Sequence, residues 1–434
     1  MNLIFDIETD GLYDDVTKLW CISIREAKQG ATGVLYYDLE PGVSGRLQNH
    51  GDRGGSLSDG LRRLTNSSQI TGHNIIGYDI PVLRKLFNFE PTGKVIDTYV
   101  LSRLFNPDRP GGHSLAAWGD RLGFPKGDYS DWTGGLTEEM LTYCNRDTAV
   151  TLKLYEALKQ EIKGQRWGES IELEHKVATI MAQQEVDGCL FDMDKALRVV
   201  KDLEDKVAEI DAKVYSIIPH TIKAKGTAVS KPFTNTGKLS ARASVYLEEG
   251  VTIVGPFQGV EITRVDLDSV HQMKKWLESI GWVPTELTPT GAGKLTEDSF
   301  SSLEDSELGS LLSLRVQSKH RLGQINGWIK VVRPDGRISA MANTLGTNTG
   351  RMRHRQVVNV PAVGAYYGEE MRSMFMAGPG CAFVGHDASG LELRMLAHYM
   401  NDDNYTEILL NGDIHSHNQH LAGLESRSAA KTFI

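Results

Sequence analysis

The pattern of apolar and polar positions predicts alternating strands and helices in the first third of the chain. Residues 3–7 (L-I-F-D-I) and 19–24 (L-W-C-I-S-I) are short apolar runs beside turn residues, as in buried strands. Strand-like residues follow at 33–39, and the Gly-, Ser- and Asn-rich stretch 42–60 predicts an exposed loop. Helical spacing marks 79–88 and 137–160. This alternation indicates an α/β domain.

Helical spacing dominates the middle of the chain. Residues 170–215 are periodic almost throughout, and further helices are predicted at 267–281 and 303–330. Between Asp211 and Glu248 the sequence contains basic residues but no acidic ones, and it is rich in Thr, Gly, Ser and Pro. This composition predicts a flexible basic arm. On charge alone a solvated loop is the better interpretation, and phosphate contact becomes the better one only if the neighbouring parts bind DNA.

Strand character returns in the last part. Residues 331–345 and the run C-A-F-V-G-H-D at 381–387 predict strands. The helix after the second run has apolar residues on one face. They are Leu391, Met395, Leu396 and Tyr399.

Composition narrows the class of protein. The 434 residues include 47 Lys and Arg against 56 Asp and Glu, so the net charge is −9, which excludes a uniformly basic DNA-coating protein but not a local basic groove. No apolar run approaches the ~20 residues of a membrane span, and the N-terminal residues lack the features of a signal peptide. The four cysteines form no C-x-x-C pair. A reducing cytoplasm is therefore expected, that of a bacterial host if the protein is viral.

Three short motifs in the first part carry acids at informative spacings. Asp6 and Glu8 lie two apart on a strand, so both leave one face, where they need a cation if they are buried. Asp79 opens a helix, and Tyr143 and Asp147 share a helical face as an i, i+4 pair. Taken singly, each motif also fits a purely structural role: a solvated strand end, a helix cap, or a buried tyrosine. Together, four carboxylates and one phenol are what two-metal phosphodiester cleavage needs.

At these residues the chain resembles DnaQ-type 3′–5′ proofreading exonucleases. The matching blocks are D-I-E-T-D-G-L, H-N-I-I-G-Y-D-I-P and Y-C-N-R-D. The resemblance implies a ribonuclease H-like fold, with Asp6, Glu8, Asp79 and Asp147 as ligands of two Mg²⁺ ions and Mn²⁺ as the alternative. It further implies that Tyr143 positions the attacking water. Asp97 stands where such domains carry a structural acid.

The rest of the chain resembles DNA polymerase I-type (family A) enzymes, especially the replicative polymerases of short-tailed phages. E-x-x-G-C-L-F-D at 185–192 is similar to the segment that opens the thumb. T-G-R at 349–351 with N-V-P at 359–361 is similar to the palm segment at the primer terminus. Motif A and the start of the fingers and of motif B follow, as G-H-D-A-S-G-L-E-L-R at 385–394, G-D-I-H at 412–415 and R-S-A-A-K-T-F-I at 427–434.

This second resemblance implies a role for each matching residue. Asp387 would bind the catalytic metal, and Glu392 would pack against the incoming sugar. His415, Arg427 and Lys431 would meet the triphosphate of the dNTP. The primer–template DNA would lie on a basic patch. The residues expected there are Arg351, Arg353, Arg355 and Asn359. The alternatives without a function are a surface acid for Asp387 and a solvated loop at 351–355.

One motif of such polymerases is missing. The sequence has no H-D-E, the motif C whose Asp joins the motif A Asp on the metals, and one carboxylate cannot hold two metals. We therefore expect no DNA synthesis by this chain alone, and a second chain that supplies the remaining fingers and motif C. The alternatives are a stand-alone exonuclease that only grips DNA with its second half, or a non-catalytic DNA-binding assembly subunit. A thioredoxin-type processivity factor is not predicted.

The expected fold class is α/β: a ribonuclease H-like exonuclease domain followed by a mostly helical thumb and an incomplete α+β palm and fingers. The expected boundaries are 1–165 for the exonuclease, 166–330 for the thumb with its basic arm at 212–247, and 331–434 for the partial palm and fingers. If Ser426 caps the last helix, that helix begins at Arg427.

Overall fold

The computed structural model of the chain describes residues 1–39, 47, 50–247, 255–284, 286–296, 299–300, 303 and 307–433. Its backbone divides into two compact units, Met1–Met376 and Ala377–Ile434.

A six-stranded mixed sheet forms the centre of the first part of the chain. Its strands are β1 Asn2–Thr9, β2 Leu19–Glu26, β3 Val34–Tyr36, β4 Arg53–Gly55, β5 Gln69–Gly72 and β6 Lys94–Asp97. They lie in the order β4-β3-β2-β1-β5-β6. Strand β1 is central, antiparallel to β2 and parallel to β5. The backbone of β1 is therefore hydrogen-bonded to a neighbouring strand on each side, which fixes the positions of its side chains.

Five helices whose full bounds are described pack beside this sheet or against one another. They are α1 Leu57–Thr65, α2 Asp79–Phe87, α3 Thr98–Phe105, α4 Leu115–Arg121 and α5 Glu138–Glu161. Helices α2 and α5 confirm the helical spacing in the sequence. The prediction of a loop across 42–60 is wrong from Arg53 onward, because β4 pairs with β3 and Ser56 and Asp59 form a capping box that starts α1. Of the remainder, residues 42–46, 48 and 49 lie outside the described residues.

The two faces of β1 have different surroundings. Leu3, Phe5 and Ile7 alternate along the strand and lie in one buried apolar cluster. Asp6 and Glu8 leave the opposite face, where Cys144 of α5 contacts Asp6. The predicted alternation is thus present, and it gives the acids a face enclosed by a helix.

Further helices follow the mixed sheet and its helices. They are α6 Gly168–Asp187, α7 Met193–Ile217, α8 Val270–Ser279 and α9 Glu307–Ile329. The helix predicted over 170–215 is interrupted, because Gly188 adopts a φ of 61° and the chain turns into strand β7 Cys189–Phe191. Strand β7 lies between two short strands, β10 Arg337–Ile338 and β13 Phe375–Met376.

The basic arm expected at 212–247 contains one strand, which pairs with a second strand beyond the arm. Strand β8 Thr221–Ala224 pairs antiparallel with β9 Val260–Thr263, and Val229 bridges to Phe257. Tyr246 donates from its hydroxyl to the carbonyl of Lys225. The segment was expected to be flexible because it is rich in Thr, Gly, Ser and Pro, and the pairing of β8 with β9 corrects that expectation for residues 221–224.

The last residues of the first unit form short strands and one short helix. Strands β11 Ala342–Asn343 and β12 Arg353–His354 form a two-stranded hairpin, and α10 Gly368–Arg372 precedes β13. Among the described residues, no helix is long and apolar enough to cross a bilayer.

The described part of the second unit is helical from Leu391 onward. Its helices are α11 Leu391–Met400, α12 Asp403–Asn411, α13 Ile414–Ala422 and α14 Arg427–Phe433. The strand expected at 381–387 is not formed: the backbone there is irregular, and Phe383 and Val384 are 63% and 91% exposed. A strand requires a partner for its backbone N–H and C=O groups, and no strand is present among residues 377–433.

Candidate active site

Four acids and a tyrosine from separate motifs line one cavity of about 570 Å³. Asp6 and Glu8 come from β1, whose pairing with β2 shifts between Glu8 and Thr9. Asp79 is the first residue of α2, and Tyr143 and Asp147 lie one turn apart on α5. All five predicted exonuclease residues therefore converge, although they are up to 141 positions apart in sequence (147 − 6).

Burial and mutual repulsion govern the charge of these acids. Burial, followed by the charges of Asp147 and Asp79, holds the pKa of Asp6 well above its usual value. Burial and then Asp6 raise the pKa of Glu8 to about 10. Burial raises that of Asp79 to about 7 and that of Asp147 to about 6. Four carboxylates this close cannot all ionise without added positive charge.

The donor set fits divalent cations. Ligand atoms of Asp6, Glu8 and Cys144 lie within 4.8 Å of one another. Burial keeps the pKa of the Cys144 thiol well above its usual value, so it stays protonated, and its Sγ lies 3.6 Å from the carbonyl of Asp6. The buried Oδ1 of Asp147 has no hydrogen-bond partner among the described residues. Buried carboxylate oxygens without a protein donor are suitable ligands for Mg²⁺ or Mn²⁺.

A lysine that the sequence motifs do not include enters this cluster. Lys126 Nζ lies 2.6 Å from Asp147 Oδ2 and 4.7 Å from the centre of the Tyr143 ring. Burial acts to lower the pKa of Lys126, but the charge and hydrogen bond of Asp147, together with the influence of Tyr143 and Asp6, raise it above its usual value. Only the segment F-P-K-G before α5 could have suggested this position, and a single lysine in a loop is no signal by itself.

The phenol of Tyr143 is neutral and enclosed by aromatic rings. Burial raises its pKa to about 12, so it can donate a hydrogen bond at any ordinary pH. Tyr129 and Trp132 pack against it with ring centres 5.8 and 5.6 Å away. Trp132 also lines the cavity and is fixed by Trp20, which donates to its carbonyl. These rings form a wall against which a nucleobase can stack.

Asp97 fixes the loop that leads to Asp79. Its Oδ1 accepts from the backbone N–H groups of Asn74 and Tyr99, both at 2.8 Å, and its Oδ2 accepts from that of Ile76 at 3.0 Å. The side chain is almost fully buried, and its residue is the N-cap of α3. These contacts give Asp97 a positioning role, as the resemblance implied.

The expected DNA-binding residues of the first unit lie near the β11–β12 hairpin. Arg351, Arg353 and Arg355 are exposed along it, and Asn359 follows with a φ of 52°. Arg355 lines a second cavity of about 440 Å³. His73, Asn74 and Lys126 line both this cavity and the one with the carboxylates.

The expected nucleotide-binding residues lie in the second unit. Asp387 is in the irregular segment, and Glu392 is in the first turn of α11. Asp413 caps the helix of His415 and accepts two hydrogen bonds from Arg427, at 2.8 and 3.1 Å. Lys431 is exposed one turn further along α14. Ser426 Oγ accepts from the N–H of Ala429, which confirms the predicted start of that helix.

The mixed sheet with an enclosed carboxylate cluster defines a ribonuclease H-like domain of the nuclease class. Comparison with family models gives two matches. The model described as 3′–5′ exonuclease covers residues 2–163, and that described as DNA polymerase family A covers residues 255–433. Residues 2–163 therefore form a 3′–5′ exonuclease domain, and residues 255–433 match DNA polymerase family A.

Individual relatives agree with this assignment. Proteins described as DNA-directed DNA polymerase from Enterobacteria phage T3 and Escherichia phage T7 are 28% and 29% identical over the whole chain, which covers 74% of each. A solved structure described as the POL domain of Pol1 from M. smegmatis, in complex with DNA primer-template and dNTP, matches with a TM-score of 0.69 at 18% identity. The chain covers 66% of that structure, and 99% of the chain is matched.

Proposed function

We propose that the first part of this chain hydrolyses DNA from its 3′ end, as the proofreading activity of a phage-type replicative polymerase. The observation that carries the proposal is the convergence of Asp6, Glu8, Asp79, Tyr143 and Asp147 on one cavity. The family match and the polymerase relatives support DNA as the substrate.

The carboxylates would hold two divalent ions, which we take to be Mg²⁺. When bound, such ions activate a water and stabilise the leaving 3′-oxygen. Tyr143 keeps its proton and donates to, or orients, the attacking water, because its phenol is neutral and borders the same cavity. Asp6 and Glu8 are held rigidly by the central strand, so they fix the site without reorganisation.

Digestion of a 3′-labelled single-stranded oligonucleotide with Mg²⁺ tests this proposal. We expect mononucleotide release by the wild-type chain and loss of at least 100-fold, on the order of one catalytic group's contribution, in the Asp6→Ala, Glu8→Ala double variant. The matched control removes two exposed acids of α6, Glu169 and Glu172, and should digest at the wild-type rate. Digestion that persists in the Asp6, Glu8 variant would show that the site has been assigned wrongly.

We propose further that residues 331–434 contribute part of a polymerase site that needs additional polypeptide for DNA synthesis. Asp387 would bind metal, and Glu392, His415, Arg427 and Lys431 would meet the dNTP. Arg351, Arg353, Arg355 and Asn359 would hold the primer–template. In support, the apolar stripe of α11 is exposed, with Leu391 at 52% and Tyr399 at 84%, and the sequence contains no H-D-E.

Reconstitution tests the second proposal. The chain is mixed with primer–template, Mg²⁺ and dNTPs, with and without a polypeptide that carries the rest of motif B and motif C. Extension only in the presence of both supports a split polymerase. Digestion without extension under every condition favours a stand-alone exonuclease, and DNA binding without either reaction favours an assembly subunit.

A further inference from the structure

The ammonium of Lys126 occupies a defined place inside the candidate exonuclease site. It is 2.6 Å from Asp147 Oδ2 and 4.7 Å from the centre of the Tyr143 ring, and its side chain is 25% exposed. It also lines the cavity that contains Asp6, Glu8 and Asp79. A lysine that only balanced surface charge would not point into a carboxylate cavity at the cost of its hydration.

The peptide bond between Pro125 and Lys126 is packed against two other parts of the fold. Arg146 donates from Nε and Nη2 to the carbonyl of Pro125, at 3.0 and 2.9 Å, and its guanidinium lies 3.3 Å from the Phe124 ring centre. On the other side, a Cβ at Gly119 would lie 2.9 Å from the backbone nitrogen of Lys126, so the loop passes against a residue without a side chain. The position of Lys126 is thus built into the fold.

Lys126 stands where two cavities meet. Together with His73 and Asn74 it lines both the carboxylate cavity and the second cavity, whose walls include Arg103 and Arg355. A DNA strand with its last nucleotide in the first cavity and the preceding one in the second would pass its last phosphodiester by this junction. That phosphodiester is the bond that a 3′–5′ exonuclease cleaves.

Two divalent ions alone do not balance the negative charge that the site holds during the reaction. Two divalent ions neutralise the four carboxylates. The phosphodiester and the attacking hydroxide then add two negative charges in a largely enclosed space, where each uncompensated charge is costly. An ammonium beside the phosphodiester reduces this excess without any proton transfer.

We propose that Lys126 contacts a non-bridging oxygen of the scissile phosphodiester, as a further catalytic residue of the 3′–5′ exonuclease. The inference rests on the proposed function. In the absence of DNA the ammonium pairs with Asp147, and in the complex it reaches the phosphate from the junction of the two cavities. Arg146, through Pro125, is a positioning residue for this contact.

A linkage-substitution experiment tests the contact by binding as well as by cleavage. Single-stranded oligonucleotides carry either a phosphodiester or an uncharged methylphosphonate at the last linkage, and affinity is measured in EDTA and in Ca²⁺. We expect the wild-type chain to prefer the charged linkage by about tenfold, as a charge-assisted hydrogen bond allows. K126M should lose that preference and show at least tenfold slower single-turnover digestion in Mg²⁺, and K126R should recover part of both.

The matched control is Lys153→Met. Lys153 Nζ lies 4.8 Å from the same Phe124 ring but is exposed on α5 and is absent from both cavity walls, so this variant should behave as wild type. If K126M keeps the wild-type preference for the charged linkage, the contact does not exist. If K126M differs from the wild type only in the shift of Tm that Mn²⁺ causes, Lys126 is a counter-ion of the metal site, and the proposal is overturned in that case too. A wild-type chain with neither digestion nor linkage preference refutes the proposed function itself, and this inference with it.

Discussion

At the scale of the residue, Glu8 couples the candidate site to pH. In the folded protein without metal its pKa is about 10, because the side chain is buried beside Asp6, whereas in the unfolded chain it is close to the ordinary 4.5. Between pH 7 and 9 the folded state therefore holds a proton that the unfolded state has lost. The free energy of unfolding therefore falls as pH rises, by about 1.4 kcal/mol per pH unit for each such proton.

We therefore predict that the metal-free chain melts at progressively lower temperature from pH 7 to 9, and that Glu8→Gln flattens this slope. Bound Mg²⁺ should flatten it in the wild type, because the cation favours the ionised carboxylate. Thermal melts in EDTA and in Mg²⁺ measure the effect, and Glu139→Gln, which removes an exposed acid of α5, is the control. Parallel slopes for wild type and Glu8→Gln would contradict the buried, protonated state of this side chain.

At the scale of the element, Asp97 joins a strand end, a loop and a helix start. Its two oxygens accept three backbone hydrogen bonds, and an asparagine would have to turn its amide N–H₂ toward at least one of those N–H groups. We predict that Asp97→Asn lowers the free energy of unfolding by about 1–3 kcal/mol and slows digestion, because the loop leads to Asp79. Urea unfolding measures the first effect. Asp108→Asn is an exposed control, and an equal stability of the two variants would count against this role.

Helices α7 and α9 are joined by a buried arginine. Arg315 of α9 donates to Asp211 of α7 at 2.5 and 3.2 Å, to Asp268 at 2.8 Å and to the carbonyl of Leu267 at 2.8 Å. We predict that Arg315→Met costs about 3–5 kcal/mol, because it leaves the partly buried Asp211 without its cation. Lys319→Met removes an exposed partner of the same Asp268 and should cost about 1 kcal/mol or less. Urea unfolding followed by tryptophan fluorescence compares the two, and similar losses would show that the buried network is unimportant.

At the scale of the whole molecule, the segment after Met376 is where we expect the chain to be most accessible to protease. It has no regular structure through Asp387, and Phe383 is 63% exposed. We predict early chymotryptic cleavage after Phe383, identified by mass spectrometry, and its suppression when a polypeptide with motif C and primer–template are added. Phe383→Ser should remove that product alone. Cleavage that is unaffected by the added polypeptide would argue against the proposed completion of the polymerase site.

The sequence by itself determined which five residues to expect in the candidate site, the α/β class of their domain and its likeness to an exonuclease followed by a family A polymerase region. It could do so because strand and helix periods are local, and because motifs such as D-I-E and Y-C-N-R-D are short. The tertiary structure decided what enters the site from elsewhere: Lys126 from a loop, the aromatic wall of Tyr129 and Trp132, and the three contacts of Asp97. Those depend on packing between distant segments, which leaves no local period. The strand expected at 381–387 fails for the same reason, since a strand forms only where a neighbour accepts its hydrogen bonds.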